Sequence, residues 1–180
     1  MKKSIVLFTS LLLLFSCSKE NITTIHSVGI SENLYEYSIV NFDTLNVQPS
    51  KNRLISRYNV YQKLFSDSVY LISGSANVNS LQFMINSTVS ETLSFSNFRF
   101  IVNGKKLPAT ISYEFGVITV ALNDISLLPG ANFINLKAEV FGVAEATYSV
   151  TLIGASITDN VGFNAIKNGL PLTTAITKFN

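Results

Sequence analysis

The residues able to do covalent or metal chemistry are few, and their spacing limits what they can do. Cys17 is the only cysteine and His26 the only histidine in the 180 residues. One thiol leaves no intramolecular disulfide. A structural zinc site takes several cysteine or histidine ligands, so this supply excludes one. A Ser-His-Asp relay would need His26, which sits in a polar stretch near the N-terminus, and no GxSxG turn is present to hold a nucleophile. Paired carboxylates can hydrolyse glycosides. Here Glu114, Asp124, Glu139 and Glu145 fall at turns or at the polar positions of alternating segments, as solvated charge does. Asp159, Asn160 and Asn164 offer the oxygen ligands that Ca²⁺ prefers, but without DxDxDG spacing. The chain reads as a non-enzyme that carries no cofactor.

The setting of Cys17 gives that thiol a different chemistry. Lys2 and Lys3 precede an apolar run of eleven residues, Ile5 to Phe15. Crossing a bilayer takes about 20 apolar residues, so the run is too short to span one. It has the layout of an export signal: a basic start, an apolar middle and a small residue at the end. The closing Leu14-Phe15-Ser16-Cys17 resembles the lipobox of bacterial lipoproteins, and LFSCSKEN is similar to the Bacteroidota type. Phe15 stands where a smaller residue is commoner in that family. The resemblance implies that residues 1–16 are a cleaved signal peptide and that Cys17 is the lipid-attachment residue, with membrane anchoring through its acyl chains. Each buried CH₂ of such chains contributes about 0.8 kcal/mol. Ser18, in place of an aspartate after the cysteine, implies by the same resemblance an outer-membrane location in the cell envelope. A lone Glu20 beside Lys19 leaves open whether the protein faces the periplasm or the surface.

Removal of the signal also changes the charge. Thirteen basic residues, less Lys2 and Lys3, balance the eleven acidic ones. No Lys/Arg patch then remains to suggest nucleic acid, whose binding needs a basic stripe, and no nucleic-acid partner is expected. Residues 17–33, SKENITTIHSVGISEN after the cysteine, are polar and turn-rich, as a tether is.

From residue 34 to 154 the dominant pattern has period two. Tyr35, Tyr37 and Ile39 alternate with polar residues, as do Leu81, Phe83 and Ile85, then Ile118, Val120 and Leu122. The sets Ile134, Leu136, Ala138, Val140 and Tyr148, Val150, Leu152 repeat it. The parity of Leu93 and Phe95 against Phe98, Phe100 and Val102 slips at Ser96-Asn97, which predicts a bulge. Asn103-Gly104 predicts a two-residue hairpin turn. Phe115-Gly116, Pro129-Gly130 and Phe141-Gly142 mark further turns. Short strands with turns about every 8–12 residues predict an all-β fold, a single antiparallel sandwich of about seven to nine strands. Residues 50–66 fit both periods, Leu54, Tyr58, Tyr61 and Phe65 a helical face and Tyr58, Val60, Gln62 and Leu64 a strand, with strand preferred. The segment Phe98 to Lys105, and Leu128-Pro129-Gly130-Ala131-Asn132 after it, are similar to immunoglobulin-like modules of bacterial surface proteins, which implies an immunoglobulin-like sandwich.

Residues 155–180 break the rhythm with a Gly- and Asn-rich connection. A strand-like tail follows at Leu172, Thr174 and Ile176, expected to pair within its own domain or with another chain. Of the aromatics, Phe83, Phe95, Phe98 and Phe100 read as core. Tyr35, Tyr37, Tyr58, Tyr61 and Tyr70 could build a sugar-stacking platform. These features together predict a lipid-anchored envelope protein whose sandwich is a binding or adhesion module for a protein or glycan partner. A structural or accessory subunit of an envelope assembly, fimbria-like or secretion-associated, is the alternative.

Overall fold

The alternation through residues 130–141 sets the frame of the molecule. Asn132, Ile134, Leu136, Ala138 and Val140 are buried, while Phe133, Asn135, Lys137 and Glu139 turn outward. A computed structural model of the chain describes residues 37–55, 60–88 and 93–180. Cys17, His26, Tyr35 and Tyr58 lie outside the described residues.

Thirteen strands lie among the described residues. The first six are β1 (Ile39–Phe42), β2 (Arg53–Ile55), β3 (Val60–Ser73), β4 (Asn77–Ser87), β5 (Ser94–Val102) and β6 (Lys105–Lys106). After them come β7 (Ala109–Glu114), β8 (Val117–Ser126), β9 (Gly130–Phe141), β10 (Thr147–Thr158), β11 (Ile166–Asn168), β12 (Leu172–Thr173) and β13 (Thr177–Phe179). The first sheet runs β11-β1-β3-β9-β5-β6 and the second β2-β13-β10-β4-β8-β7, with β12 also beside β10. The chain changes sheet at most connections; the β5–β6 and β7–β8 hairpins and the β12–β13 step stay within one. This is the predicted all-β sandwich.

Two details differ from the prediction. The number of strands exceeds seven to nine because the margins hold pieces of two or three residues, too short to show a period. The sheets are also not wholly antiparallel, since β1 pairs with β11 and β2 with β13 in parallel. Both parallel pairs sit at the margins, where the chain returns to an edge in its original direction after a long crossover.

The core forms between the two inner faces. Phe65 of β3 meets Phe83 of β4 edge-on, with ring centroids 5.2 Å apart. Phe95 of β5 meets Tyr148 of β10 at 5.4 Å in the same way. Such pairs add to the burial of apolar area that drives the packing. Phe83, Phe95 and Phe100 are buried as expected, and Phe98 packs half-buried against them. The predicted bulge is present: the β5–β9 register shifts between Ser96 and Arg99, and Asn97 has φ of 51°. In the ambiguous stretch Arg53–Ile55 form β2 and residues 60–66 the start of β3, while residues 50–52 lie outside any strand. The strand rhythm continues through Gly154 to Thr158 in β10, and the tail pairs within its own chain. β12 joins β10, and β13 is inserted between β2 and β10.

The hairpin at Asn103-Gly104 has the expected left-handed pair, with φ of 49° and 79°. Asn103 does more than turn the chain. Its side-chain oxygen accepts from the Phe133 amide at 2.8 Å, and its amide group donates to buried Asn132 at 3.1 Å. Nothing lies within 4 Å of where a Cβ on Gly104 would sit, so a substitution there meets only backbone strain. Gly104→Val is expected to cost about 1–2 kcal/mol in urea unfolding. An unchanged midpoint would show that the turn is made otherwise.

Candidate binding face

The two outer faces of the sandwich differ in chemistry, and the difference follows from register. On the second sheet the outward residues of the central strands are uncharged: Gln82, Met84 and Asn86 on β4, Thr119 on β8, Ser149 and Thr151 on β10. They bond to one another, Asn86 to Thr151 at 2.9 Å and Thr151 to Thr173 of β12 at 2.9 Å. Lys178 at the margin has a counter-ion, Glu145, at 2.5 Å. That is the one ion pair among the described residues.

The first sheet presents the opposite picture. Lys63 of β3 stands directly across from Lys137 of β9, and Lys137 directly across from Arg99 of β5. Residues opposed in a ladder share a face, and the buried neighbours Leu136 and Ala138 put that face outward. Three cations therefore form a row across three adjacent strands. Lys106 of β6 extends the group, opposite Ile101 in the next row. Among the described residues none of the four has an ion pair. The one acid close by is Glu139, opposite Tyr61 and Ser96, and it accepts a 2.6 Å hydrogen bond from Asn97. The Arg99 guanidinium lies over the Tyr61 ring, 4.6 Å from its centroid. Partial burial raises the Tyr61 phenol above its ordinary range, with Arg99 pulling it back. The rows beside the cations carry Ser66, Asn135 and Ile101, then Ser68 and Phe133.

Like charges directly opposed on a sheet are destabilising. A solubilising surface would intersperse the two signs. Three cations in register without a counter-ion form a positive strip whose repulsion a ligand of opposite charge would relieve.

The residues singled out in the sequence are not brought together. Asp159 closes its own turn, its Oδ1 accepting from the Val161 and Phe163 amides at 2.9 and 2.8 Å. Asn160 bonds to Asn77 at 3.3 Å, and Asn164 bridges to Thr158. No group of three or more His, Cys, Asp or Glu side chains gathers among the described residues. Glu114 ends β7, Glu139 belongs to the cationic face and Glu145 pairs with Lys178. Tyr61 and Tyr70 share the outer face of the first sheet but lie nine positions apart on β3, roughly 30 Å. Tyr37 is exposed ahead of β1.

A group missed in the sequence sits inside the core. Asp67 of β3 is 3% exposed, and neither carboxylate oxygen has a side-chain hydrogen bond of good geometry. Burial pushes its pKa up to about 6, with the Asp43 charge adding to the rise and the Ser68 and Asp43 amides opposing it. It faces the opposite sheet and takes no part in the cationic face.

No family model matches the chain. No curated protein matches it either. Among solved structures it is similar to a non-cellulosomal cohesin from the hyperthermophilic archaeon Archaeoglobus fulgidus, at 11% identity and a TM-score of 0.44, covering 79% of this chain and 89% of that one. A cohesin module from a Clostridium perfringens family 33 glycoside hydrolase gives 13% identity and 0.47, over 79% and 98%. The major pilin subunit BcpA of Bacillus cereus gives 9% and 0.39, over 80% of this chain and 39% of that one. These scores are too low to carry a partner or an activity from one chain to another.

Proposed function

We propose that the chain is a lipid-anchored protein of the cell envelope whose sandwich binds a partner through the outer face of its first sheet. The observation that carries the binding reading is the row Lys63–Lys137–Arg99, three cations in direct register without a counter-ion, against a second sheet whose central outer positions are neutral. The anchor rests on the lipobox-like Leu14-Phe15-Ser16-Cys17. The outer membrane is the proposed location, and the tether sets the sandwich off from the lipid.

Each half of the reading has its own measurement. Cys17→Ala leaves an uncleaved precursor that takes up no fatty-acid analogue; processing and labelling of that variant would refute the anchor. Lys137→Gln keeps the side-chain stem and removes the middle charge. It is expected to stabilise the fold by about 0.2–1 kcal/mol, the size of a cross-strand charge effect. The gain should fade at about 1 M salt, where charge repulsion is screened within about 3 Å. A loss of stability at low salt would mean that the lysine holds the fold, and the row would no longer argue for a ligand.

A further inference from the structure

We infer that one end of the sandwich touches the lipid surface to which Cys17 anchors the chain, so that its body stands upright from the membrane. The inference deepens the anchoring half of the reading above and rests on it. The described chain enters β1 at this end, where the Tyr37 carbonyl accepts from the Ser73 hydroxyl at 2.9 Å and Ser38 bonds with Ser75. Three connections meet there and are bonded side by side. The Leu127 amide donates to the Ala76 carbonyl at 2.8 Å, and the Asn160 amide donates to the Ser75 hydroxyl at 3.2 Å. Asn132 closes the β8–β9 turn through both the amide and the carbonyl of Leu128.

The tips of these connections carry side chains that a turn in water does not call for. Leu128, Val161 and Phe163 are each more than half exposed, as is Tyr37 at the chain entry. Turn tips are ordinarily polar. The turn that presents Val161 and Phe163 is fixed, because Asp159 Oδ1 accepts from both of their amides. Large apolar side chains gathered from separate connections mark a contact surface. The charges say which surface. Lys105 and Lys106 follow the Asn103-Gly104 turn, and Lys167 follows Ile166, whose amide donates to the Ser38 carbonyl. The one acid in the described connections of this end is Asp159, already engaged by those amides. Apolar tips among lysines suit a bilayer interface, where apolar groups sink between headgroups and lysines meet phosphates. The opposite end exposes Phe115, but directly after Glu114 and with Glu145 in the β9–β10 connection, where carboxylates repel anionic lipid. Turning that end to the lipid would also send the tether back along the sandwich, roughly 35 Å for the 11 residues of β4. The upright pose leaves the Lys63–Lys137–Arg99 row on a side wall, open to a partner.

The test uses the full, acylated chain reconstituted in vesicles of phosphatidylethanolamine and phosphatidylglycerol that contain a nitroxide-labelled lipid. Acylated Cys17 offers no thiol, so an introduced cysteine is the single site that takes a fluorophore. Fluorophores at Val161→Cys and Leu128→Cys are expected to be quenched at least about threefold more than at Phe115→Cys or Met84→Cys, since interfacial groups sit about 5–10 Å into the headgroup boundary. With the label at Leu128→Cys, Val161→Asp together with Phe163→Asp should remove most of that quenching. Equal quenching at all four positions, none at any, or the most at Phe115→Cys overturns the orientation and leaves the anchor standing. Unchanged quenching in the Asp variants overturns the role of the tips. Shielding of Val161→Cys from aqueous iodide without quenching by lipid means that a second copy or another protein covers this end, and overturns the lipid assignment. The mass of the same samples reads the acyl chains on Cys17; a chain without them refutes the anchor, and this inference with it.

Discussion

Asp67→Asn is expected to raise the stability of the folded chain at pH 7.5 by about 2 kcal/mol. The carboxylate is 3% exposed on the inner face of β3, and its pKa stands at about 6 against an ordinary 3.8. Raising a pKa by one corresponds to about 1.4 kcal/mol, so holding this group ionised costs the native state about 3 kcal/mol. Asparagine removes that cost but leaves an amide with few partners, which takes back part of the gain. The sign in pH follows. Between about pH 4 and 6 the native state keeps a proton that the unfolded chain has lost. The contribution of Asp67 is therefore most favourable below pH 4, declines as pH rises through that window, and is flat above it. Urea midpoints of the parent and Asp67→Asn should converge toward pH 4 and separate toward pH 7.5. A constant difference across that range would show that Asp67 ionises normally, through contacts better than those described.

Phe179→Ala should cost more, about 3–5 kcal/mol, the range for emptying a large buried aromatic site. Phe179 is 1% exposed and its ring lies 6.3 Å from that of Tyr148. The surroundings are unusually close. A Cβ added to Gly142 would come within 2.7 Å of both the Phe179 ring and Leu93, so glycine is required there to let the ring in. Gly142→Ala is accordingly destabilising in the parent and less so once Phe179 is alanine, when only the Leu93 side chain still has to give way. That coupling belongs to residues in contact. Additive effects of the two substitutions would place Phe179 elsewhere in solution. Hydrogen exchange gives the same test for the backbone, since Thr177 and Phe179 should be protected in a monomer.

What the sequence made legible was local. Asn103-Gly104 declared its turn because two adjacent residues with positive φ are enough to define one. The bulge at Asn97 showed as a slip in parity over a few positions. β8, β9 and β10 were readable because long strands repeat their period several times. The margins were not, since β6, β11, β12 and β13 are too short to repeat anything. The tail alternated like one strand, yet Thr174, Ala175 and Ile176 separate β12 from β13. The candidate face was hidden for a different reason. Lys63, Arg99 and Lys137 are each unremarkable in sequence, far apart and flanked by ordinary residues. Only the register of three strands puts them in a row. Asp67 was concealed by the bulge between Lys63 and Phe65, which sets the parity that turns Phe65, Asp67 and Val69 inward together. Polar residues in an alternating run are read as outward, and one that is buried without partners runs against that rule.

The short strand β2 has a consequence for how the molecule assembles in time. Its sheet partner is β13, and Arg53 pairs with Thr177 well over a hundred positions later. Loop closure over such a length must be met before the contacts reward it, which places the chain with slow, non-local folders. A polypeptide made from its N-terminus thus carries β2 without its partner until β13 has also emerged, and during that interval the flank of β10 that β13 will occupy is an exposed strand edge. Passage through a narrow pore in extended form would forfeit no native pairing of β2, because vectorial synthesis had not yet made that pairing possible.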